Sequence, residues 1–544
     1  MMMHQLLRMM PTKLLLVFAL FINFNQSNAG QHSVIIDGGN IVHSVDERFV
    51  SFTIDAGEMA AGYAVNDLTS KNMIILTKAL TPAYLRLSGG SADSIGYNVT
   101  TETTANSMKL TTIQHCVGSD CGNCDLSNSL KTPPVDKMPS KMSAYFNLST
   151  WTRINKFAAS TNSEIIFGLN SKAREYTNTS WDGRYGMMDL IQWTHKQSFA
   201  EFPVIGYELG NEPDLFCRGN ETILPKTMVM DVIQLRKTLD NLPLNSKRKK
   251  KYLLLGPDTA GIGIVTGSCT GNPQAIYNHF YKQFVGNLTK NVDTTKEKVL
   301  DEITFHQYYF KGPGGHADQF IDVTVLDTLL PKIQLAVGAG QTSLGETSSA
   351  YDGGTPSISS TFASTFSWLD KLGLSARFGL TRVFRQQLCC GASYDLLGKR
   401  GEQPRPDYWS TLLWKTLMSG RVLAVSDDNR KGREIRTYSH CSRSGGIVVM
   451  VINIQKSMPT SVDFSLQDGN TIGERMEVYT LSTVENVFTG SRSTLNGVEL
   501  LFHDDKLPKM SPKIMKGNTL MIEPLTIAFV VFPEAKVNVC NIVV

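Results

Sequence analysis

The stretch Pro203-Val204-Ile205-Gly206-Tyr207-Glu208-Leu209-Gly210-Asn211-Glu212-Pro213 decides the fold of this chain. Its first half is mostly apolar and aromatic without strict alternation, which predicts a parallel strand that is covered on both faces. The run ends at Gly210, and Glu212 follows in the turn. A carboxylate just past the carboxyl end of a buried parallel strand is typical of a (β/α)8 barrel, which places its chemistry at that face.

A second stretch, Ser343-Leu344-Gly345-Glu346-Thr347-Ser348-Ser349, repeats this pattern with Glu346 at the end of the apolar run. Similar apolar runs alternate with helix-compatible segments such as Met228–Leu242 and Ser360–Leu372. We therefore predict an α/β fold, a (β/α)8 TIM barrel, in which Glu212 follows the fourth strand and Glu346 ends the seventh. The predicted core strands are Phe49–Asp55, Ala83–Leu87, Glu164–Leu169, Pro203–Leu209, Tyr252–Pro257, Ile303–Tyr308, Ser343–Glu346 and Gly379–Arg385.

The sequence changes in character after Leu417. Short β-rich runs follow, separated by Gly, Asp, Asn and Pro, and this pattern predicts an appended C-terminal β-sandwich. A chain of 544 residues is long enough for two such domains. We predict a catalytic barrel over residues 30–417 and a sandwich over residues 418–544. The predicted sandwich strands are Val422–Ala424, Arg433–Tyr438, Gly446–Ile454, Ser461–Phe464, Met476–Leu481 and Thr526–Phe532.

Residues 1–29 have the organisation of a signal peptide. Basic residues precede the apolar run Leu14–Ile22, and Ser27-Asn28-Ala29 offers small residues at the cleavage positions. We expect a secreted, extracellular protein, with the lysosome as the alternative destination. No later run has the roughly 20 apolar residues that a bilayer requires, so no transmembrane segment is predicted. The net charge of +4 is too small to indicate a nucleic-acid partner.

The expected secretory route gives meaning to the glycosylation sequons and the cysteines. Asn-X-Ser/Thr triplets begin at Asn98, Asn147, Asn178, Asn220 and Asn287. Among nine cysteines, Cys441 follows one of the predicted sandwich strands and Cys540 lies just past the last one, and the two suit a disulfide that closes a long loop. The adjacent pair Cys389-Cys390 is interpreted as buried packing. The cluster Cys116, Cys121 and Cys124 indicates disulfides rather than a metal site, and we predict no metal and no cofactor.

A polar segment, Thr101–Ser143, interrupts the predicted barrel between its second and third strands. An insert of this length without predicted elements is uncommon, and it is either a surface segment or a lid or processing site. The sequence leaves both interpretations open.

The two glutamates at different strand ends provide the pair of carboxyl groups that cleavage of a glycosidic bond requires. We assign Glu212 as the general acid/base and Glu346 as the nucleophile. The amide of Asn211 is placed to hydrogen-bond the sugar hydroxyl beside the reacting carbon. Tyr308 and Tyr309 end the sixth strand, where a hydroxyl would donate to Glu346 and keep it ionised.

The residues around both glutamates resemble a known family. The motifs 208–213 and 344–351 are similar to the acid/base and nucleophile signatures of the heparanase family, the endo-β-glucuronidases of glycoside hydrolase family 79 in clan A. The similarity covers essentially the whole mature chain. It includes the segments Thr53–Ala56, Pro82–Arg86, Phe167–Asn170, Trp368–Arg377 and Pro406–Trp409, and the family's disulfide positions at Cys441 and Cys540.

The resemblance implies cleavage of heparan sulfate, and excision of an internal segment at the place of residues 101–143 by a processing protease. It also implies cleft positions. Tyr394 matches the tyrosine that contacts the glucuronate carboxylate, and Gly353 offers a backbone N–H to the same group. Further substrate-binding positions by this resemblance are Asp55, Ser91 in the turn 89–91, Tyr309 and Gln386.

Three departures from the family pattern put the substrate preference in doubt. Asp352 stands where the family has glycine after the signature tyrosine, and an acidic group there would repel a uronate unless it points away. Gly57 replaces an asparagine, and Gln307 replaces the second of two histidines.

Several basic residues are candidates for sulfate contacts. Lys247–Lys251 precedes the fifth strand and is therefore a solvated loop or a remote docking patch on the face opposite the chemistry. We expect Lys399 and Arg400, with Arg405, to bind sulfates after the eighth strand, helped by Lys172 and Arg174 after the third.

The sequence therefore predicts a secreted retaining endo-β-glucuronidase of heparan sulfate. One alternative is an exo-β-glucuronidase or a hydrolase of another uronic-acid polysaccharide. Another, from a different class, is a non-catalytic heparan-sulfate-binding relative.

Overall fold

The computed structural model describes residues 30–57, 68–98, 144–174, 180–219, 223–263, 279–295, 298–398, 401–426, 432–467, 469–485 and 487–541. The predicted signal peptide, the insert 101–143, the sequons at Asn178 and Asn220, and both Lys399 and Arg400 lie outside these residues. Within them, no helix is both long enough and apolar enough to cross a bilayer.

The strands of the described residues, in chain order, are β1 (Gly30–Ser44), β2 (Val50–Asp55), β3 (Ala83–Ser88), β4 (Ile95–Asn98), β5 (Ala144–Asn147), β6 (Ser163–Leu169), β7 (Val204–Leu209), β8 (Leu253–Thr259), β9 (Glu302–Gln307), β10 (Phe310–Lys311), β11 (Thr342–Thr347), β12 (Ala350–Tyr351), β13 (Val383–Arg385), β14 (Met418–Val425), β15 (Ile435–Ser442), β16 (Ile447–Asn453), β17 (Thr460–Leu466), β18 (Arg475–Thr483), β19 (Ser493–Leu495), β20 (Val498–Glu499), β21 (Lys513–Lys516), β22 (Thr519–Ile522) and β23 (Thr526–Phe532).

The α-helices of the same residues are α1 (Lys71–Ala79), α2 (Leu148–Thr161), α3 (Met187–His195), α4 (Pro225–Asp240), α5 (Phe280–Thr295), α6 (Val323–Leu326), α7 (Leu329–Val337), α8 (Phe362–Arg377), α9 (Pro406–Leu417) and α10 (Asn538–Asn541).

Eight parallel strands close into a barrel in the order β2-β3-β6-β7-β8-β9-β11-β13. The predicted TIM barrel is therefore confirmed, and each predicted core strand overlaps one of these. The least accurate prediction is the eighth strand, because Gly379 (φ 98°) and Leu380 terminate helix α8 instead of starting the strand. Leu380 donates its N–H to the carbonyl of Ser375 in that helix, at 3.0 Å.

A second, 11-stranded sheet is formed by the residues after the barrel together with β1. Strand β1 runs parallel to β17, with Gly30 opposite Thr460 and Ile36 opposite Leu466, and antiparallel to β14. The barrel domain therefore begins after β1 rather than at residue 30. The apolar residues of β1 need this distant sheet as a partner, and short-range sequence patterns do not reveal such a partner.

The central strands β16 and β23 of this sheet are buried on both faces. Val449 and Val451 point into a core within the sheet domain, where Phe464 and Phe532 approach to 5.3 Å between ring centres. Residues of the opposite parity, such as Met450, pack in the core that the barrel also fills. The strand period of two thus assigns alternate residues to two different cores.

The junction between barrel and sheet is polar at its centre. Arg436 of β15 contacts Asp370 of α8 at 3.3 Å and Asp327 at 2.8 Å. The hydroxyl of Tyr438 donates to the Asp370 carboxylate at 2.5 Å. Since these groups are buried and paired, they fix the orientation of the two domains.

The predicted cysteine and sequon positions have distinct surroundings. Cys441 and Cys540 are joined by a disulfide, while Cys389 and Cys390, predicted as packing residues, are joined to each other. Asn147 caps helix α2 by accepting the N–H of Thr150 at 2.9 Å. Asn287 lies within α5 and Asn98 ends β4.

The basic run 247–251 precedes β8 at the amino end of the barrel, as predicted. Arg248 is buried, donating to the carbonyl of Val204 at 2.7 Å, and it lies over the ring of Tyr252 at 4.3 Å. The lysines of the run are exposed. Arg248 is therefore part of the fold and is unavailable to a ligand.

Candidate active site

Glu212 follows β7 in a backbone conformation that side-chain-bearing residues rarely adopt. Its φ is 48°, and its N–H donates to the carbonyl of Asp258 at the end of β8, at 2.8 Å. A residue other than glycine in the left-handed backbone conformation costs roughly 1–3 kcal/mol, and such residues are typical of functional sites. The neighbouring N–H of Asn211 donates to the carboxylate of Asp93 at 2.8 Å. These bonds hold the turn so that Glu212 projects from the strand end.

Glu346 lies within β11 and receives two strong donors. The Tyr308 hydroxyl donates to Oε1 at 2.6 Å, and Arg86 Nη1 donates to Oε2 at 3.1 Å. Both interactions favour the ionised carboxylate. The preceding residue must be small, because a Cβ on Gly345 would collide with the carboxylate of Asp258. Packing therefore requires glycine at position 345, and the proposed chemistry requires the glutamate that follows it.

The two carboxylates face each other across the end of the barrel. One oxygen of Glu212, one oxygen of Glu346 and one ring nitrogen of His306 all lie within 4.8 Å of one another. This separation is close to the roughly 5–5.5 Å between the carboxyl groups of retaining glycosidases. Strands β7 and β11 are not neighbours in the barrel, so only its closure brings the pair together.

Arg86 of β3 is a fully buried cation at the centre of the site. Besides Glu346, it donates to Glu208 at 2.7 Å and to the side-chain oxygen of Asn211 at 3.1 Å. Burial opposes its charge, but the carboxylates of Glu208, Asp258 and Glu346 outweigh burial and raise the pKa of Arg86. Asn211 therefore has its oxygen engaged, which leaves its amide N–H groups to face a ligand.

His306 of β9 is hydrogen-bonded to Glu212, with Nδ1 at 2.9 Å from Oε1. Its other ring nitrogen lies 3.4 Å from Asp258. Burial lowers the pKa of His306, but Glu346, Asp258 and Glu212 together outweigh that effect and raise it to about 10. The ring therefore hydrogen-bonds Glu212 through Nδ1 and faces the carboxylate of Asp258 with Nε2.

Other buried carboxyl groups around the pair differ in protonation. Burial, and then the charge of Asp258, raises the pKa of Glu208, whereas Arg86 and His306 overcome burial and lower the pKa of Asp258. Asp214, two residues after Glu212, accepts the N–H of Ala260 at 2.8 Å. Burial and the charge of Glu212 raise the pKa of Asp214 to about 7.

Asp55, at the end of β2, lies beside the predicted turn 89–91. A Cβ on Gly89 (φ 121°) would collide with the Asp55 carboxylate, and one on Gly57 would lie 2.6 Å from the hydroxyl of Ser91. The structure thus brings these predicted cleft residues together. Burial and, less strongly, the charge of Glu346 raise the pKa of Asp55 to about 6, partly opposed by the N–H of Gly57.

Gln386 and Tyr394 lie on the segment that follows β13. The hydroxyl of Thr53 donates to the side-chain oxygen of Gln386. Burial, and then the charges of Glu346 and Asp55, raise the pKa of Tyr394 well above its usual value. Gly353 accepts the N–H of Ser393 at 2.8 Å, so the predicted uronate-binding residues form one side of the site.

Some predicted residues have other surroundings. Tyr308, not Tyr309, contacts Glu346, because neighbouring residues of an extended segment point in opposite directions; the ring of Tyr309 lies 4.5 Å from the buried ammonium of Lys371. Arg174 is buried against Asp231 at 2.7 Å and is unavailable to sulfate. Lys172 lies over the ring of Phe216 at 4.4 Å. Asp352 is exposed, 3.5 Å from Lys311.

The sequence reading assigned no role to Arg86, Asp258 or Asp93. The signal for Arg86 was a charged residue within the apolar strand 83–88, since a buried charge needs a partner. Its partners come from other strands and could not be identified before the barrel was closed.

The cluster of Glu212, His306 and Glu346 has the spacing of metal ligands. Both oxygens of Glu346 already accept hydrogen bonds, one from a guanidinium. A divalent cation would have to lie beside that positive charge, and the raised pKa of His306 opposes the neutral ring that a metal ligand requires. The donor set therefore suits proton transfer and carboxylate chemistry, not metal binding.

Comparison with known proteins identifies the family of the chain. The family model described as glycosyl hydrolase family 79, N-terminal domain, matches residues 31–262. Heparanase of Rattus norvegicus is 30% identical over 76% of each chain. The chain belongs to glycosyl hydrolase family 79.

Other relatives have names that indicate different activities. Hyaluronoglucuronidase of Hirudo nipponia is 26% identical over 94% of this chain and 99% of its own. Inactive heparanase-2 of Homo sapiens is 26% identical over 92% of this chain and 88% of its own. Among solved structures, a 4-O-α-L-rhamnosyl-β-D-glucuronidase of Fusarium oxysporum aligns with a TM-score of 0.63, at 15% identity, over 92% of this chain and all of its own. The last similarity concerns the fold.

Proposed function

We propose that this glycoside hydrolase is a secreted, retaining endo-β-glucuronidase that cleaves heparan sulfate by double displacement. The observation that carries the proposal is the facing pair of carboxylates within 4.8 Å, each at the carboxyl end of a barrel strand. Tyr308 and Arg86 hold Glu346 as the anion that a nucleophile must be. Relatives named heparanase support the polymer substrate.

In the first step, an oxygen of Glu346 attacks the anomeric carbon of a glucuronate. Glu212 gives a proton to the departing glycosidic oxygen, and a glycosyl ester forms on Glu346. In the second step, Glu212 takes a proton from water, which attacks the same carbon and releases Glu346. His306 contacts Glu212 through Nδ1 and stabilises its ionised form after the first step. The anomeric configuration is retained because the carbon is inverted twice.

Asn211, Tyr394 and Gly353 are the proposed contacts to the sugar in this mechanism. Asn211 directs its amide to the hydroxyl beside the reacting carbon, while Tyr394 and the N–H of Gly353 bind the uronate carboxylate. Asp55 lies near them, and burial raises its pKa to about 6. Below that pH its carboxyl is neutral and does not repel the substrate. This supports enzymatic activity in an acidic compartment such as the lysosome, which the protein would reach by secretion and uptake.

A second substrate, hyaluronan, is favoured by one specific observation. Asp352 (φ 58°) is exposed next to Gly353 at the edge of the site, where its negative charge repels a sulfated chain more than an unsulfated one. Lys311, 3.5 Å away, partly compensates that charge. A relative named hyaluronoglucuronidase is similar over almost the whole chain.

The experiment is incubation of the secreted protein with heparan sulfate and, separately, with hyaluronan, followed by size-exclusion chromatography. Glu346→Ala is the control. Fragments of intermediate size from heparan sulfate, absent with the variant, would support the proposal, and proton NMR of the new reducing ends would test retention. Cleavage of hyaluronan alone would favour the second substrate, and monosaccharide release would indicate an exo-enzyme.

Processing and modification belong to the same proposal. If the intact chain is inactive, the assay is repeated after limited proteolysis within residues 101–143, the proposed propeptide. Binding of heparan sulfate without cleavage in both forms would indicate the non-catalytic alternative. Mass spectrometry of the secreted chain tests removal of residues 1–29 and glycan occupancy at Asn98, Asn147, Asn178, Asn220 and Asn287.

A further inference from the structure

The segment between Gln386 and Asp395 carries two of the proposed cleft residues and contains a disulfide between adjacent cysteines. Cys389 and Cys390 are both buried, and their sulfurs are bonded. Cys390 has a φ of 101°, a conformation that residues with a side chain rarely adopt. The backbone here is strained, and such strain persists only where surrounding structure enforces it.

Residues on both sides of the disulfide contact the site. Before it, the side-chain oxygen of Gln387 accepts the N–H of Asp55 at 3.1 Å, and the Gln387 amide donates to Asp395 at 3.1 Å. After it, the Asp395 carboxylate accepts the N–H groups of Gly391 and Ala392 at 2.7 and 3.1 Å. The turn at the cysteines therefore sets the position of Tyr394 relative to Gln386 and Asp55.

The two disulfides of the described residues differ in what they can stabilise. Cys441–Cys540 joins residues 99 apart, while Cys389–Cys390 joins residues 1 apart. A disulfide stabilises a fold largely by restricting the unfolded chain, and this effect grows with the length of the closed loop. The adjacent pair closes almost no loop. Its effect must lie in the local conformation that it imposes on the folded chain.

We propose that the Cys389–Cys390 disulfide is a positioning element of the cleft, which holds the turn so that Tyr394 and Gln386 face the uronate beside Glu346. The proposal rests on the proposed function for its substrate. It assigns the disulfide a role in binding and none in global stability.

The first test is whether the bond exists in the secreted protein. The protein is unfolded without reductant, alkylated, digested and measured by mass spectrometry. We expect the peptide that contains both cysteines to remain unalkylated until a reductant is added. Two alkylated thiols without reductant would overturn the proposal.

The second test compares Cys389→Ala/Cys390→Ala with the matched control Cys441→Ala/Cys540→Ala. The first variant should raise KM for polymer cleavage roughly 10- to 100-fold, as expected for a small misplacement of binding groups, with little change in Tm. The control should lower Tm and leave KM unchanged. A fall in Tm for the first variant with unchanged KM would overturn the proposal.

A double-mutant cycle with Tyr394→Phe shows whether the disulfide acts through that residue. If it does, the loss in the combined variant is smaller than the product of the separate losses. Strictly multiplicative losses would contradict action through Tyr394.

Hydrogen exchange gives a measurement that does not depend on activity. Peptides covering residues 386–397 should exchange faster in the Cys389→Ala/Cys390→Ala variant than in the wild type, while peptides of β16 should not change. If the wild type cleaves no uronic-acid polymer, the proposed function fails, and this exchange experiment still decides whether the disulfide holds the turn. Equal exchange in both proteins would refute the inference.

Discussion

The ends of β7 and β11 each present a glutamate to the same space, yet their surroundings differ. The Glu346 side chain is 11% exposed and accepts hydrogen bonds from a guanidinium and a phenol. The Glu212 side chain is 27% exposed and contacts one ring nitrogen of His306, and the backbone of Glu212 itself is in a strained conformation. The Glu346 carboxylate is held by a donor on each oxygen, while the Glu212 carboxyl is more accessible and contacts one imidazole nitrogen.

This difference indicates how a barrel assigns two roles to one residue type. A nucleophile must attack along a defined line, so donors on both oxygens restrict its motion. An acid/base must gain and lose a proton within one cycle, so it needs access to water and an adjustable partner. Environment, not residue type, therefore distinguishes the two glutamates.

The largest expected effect is that of Glu346→Ala. Without the nucleophile no glycosyl ester can form, and the rate of cleavage should fall by roughly 10⁴-fold or more. The measurement is the initial rate on the preferred polymer, with the Tm of the variant as the control for folding. A loss below tenfold in a folded variant would show that Glu346 is not a catalytic residue.

Glu212→Gln should have a large effect that depends on the leaving group. Cleavage of the polymer should fall by roughly 10²–10⁴-fold, because the leaving oxygen requires a proton. An aryl β-glucuronide with an acidic phenol needs little protonation, so the first step on it should be much less impaired, if the site accepts it. Equal losses on both substrates would argue that Glu212 is not the acid.

Tyr308→Phe and Tyr309→Phe form a matched pair on adjacent positions. A hydrogen bond to a charged group contributes about 1.5–3 kcal/mol, so removal of the Tyr308 hydroxyl should lower kcat by roughly 10- to 100-fold. Tyr309→Phe should leave kcat within about twofold, because its ring packs against Lys371 rather than Glu346. Similar losses for both variants would contradict the donor assigned to Glu346.

A further expected effect, on stability and not on rate, concerns pH at the β7 end. The pKa of Asp214 rises from its usual 3.8 to about 7 in the folded protein, through burial and the charge of Glu212. Between these values the folded chain binds more protons than the unfolded chain, so its stability falls as pH rises, by up to about 1.4 kcal/mol per pH unit for one group. Asp214→Asn keeps the oxygen that accepts the N–H of Ala260 and removes this titration.

The measurement is the free energy of unfolding at pH 4.5 and at pH 7.5. Wild type should lose stability between these values, and Asp214→Asn should lose distinctly less. Part of the loss should remain, since the pKa of Asp55 is also raised, to about 6 by burial. An unchanged difference in the variant would show that Asp214 does not titrate in this window.

Much of the fold was predictable because the signals are local. The barrel strands are buried on both faces and therefore appear as apolar runs. Helices α4 and α8 show helical apolar spacing, which is the pattern of an element that packs on the barrel. The assignment of β1 to the second sheet was not predictable, since its pairing with β17 joins residues far apart in the sequence. The bond between Cys389 and Cys390 depended on a strained turn for which the sequence gives no local signal.

The sequence by itself determined that two glutamates stand at the ends of two buried strands, because a strand's period and its terminating turn are local properties. Only the tertiary structure decided what surrounds each of them. Arg86 reaches the glutamates from β3, and His306 and Tyr308 reach them from the carboxyl end of β9, so the closure and register of the barrel fix which atoms meet. Electrostatic interactions inside a protein depend steeply on distance and burial, and both quantities exist only once the chain has folded.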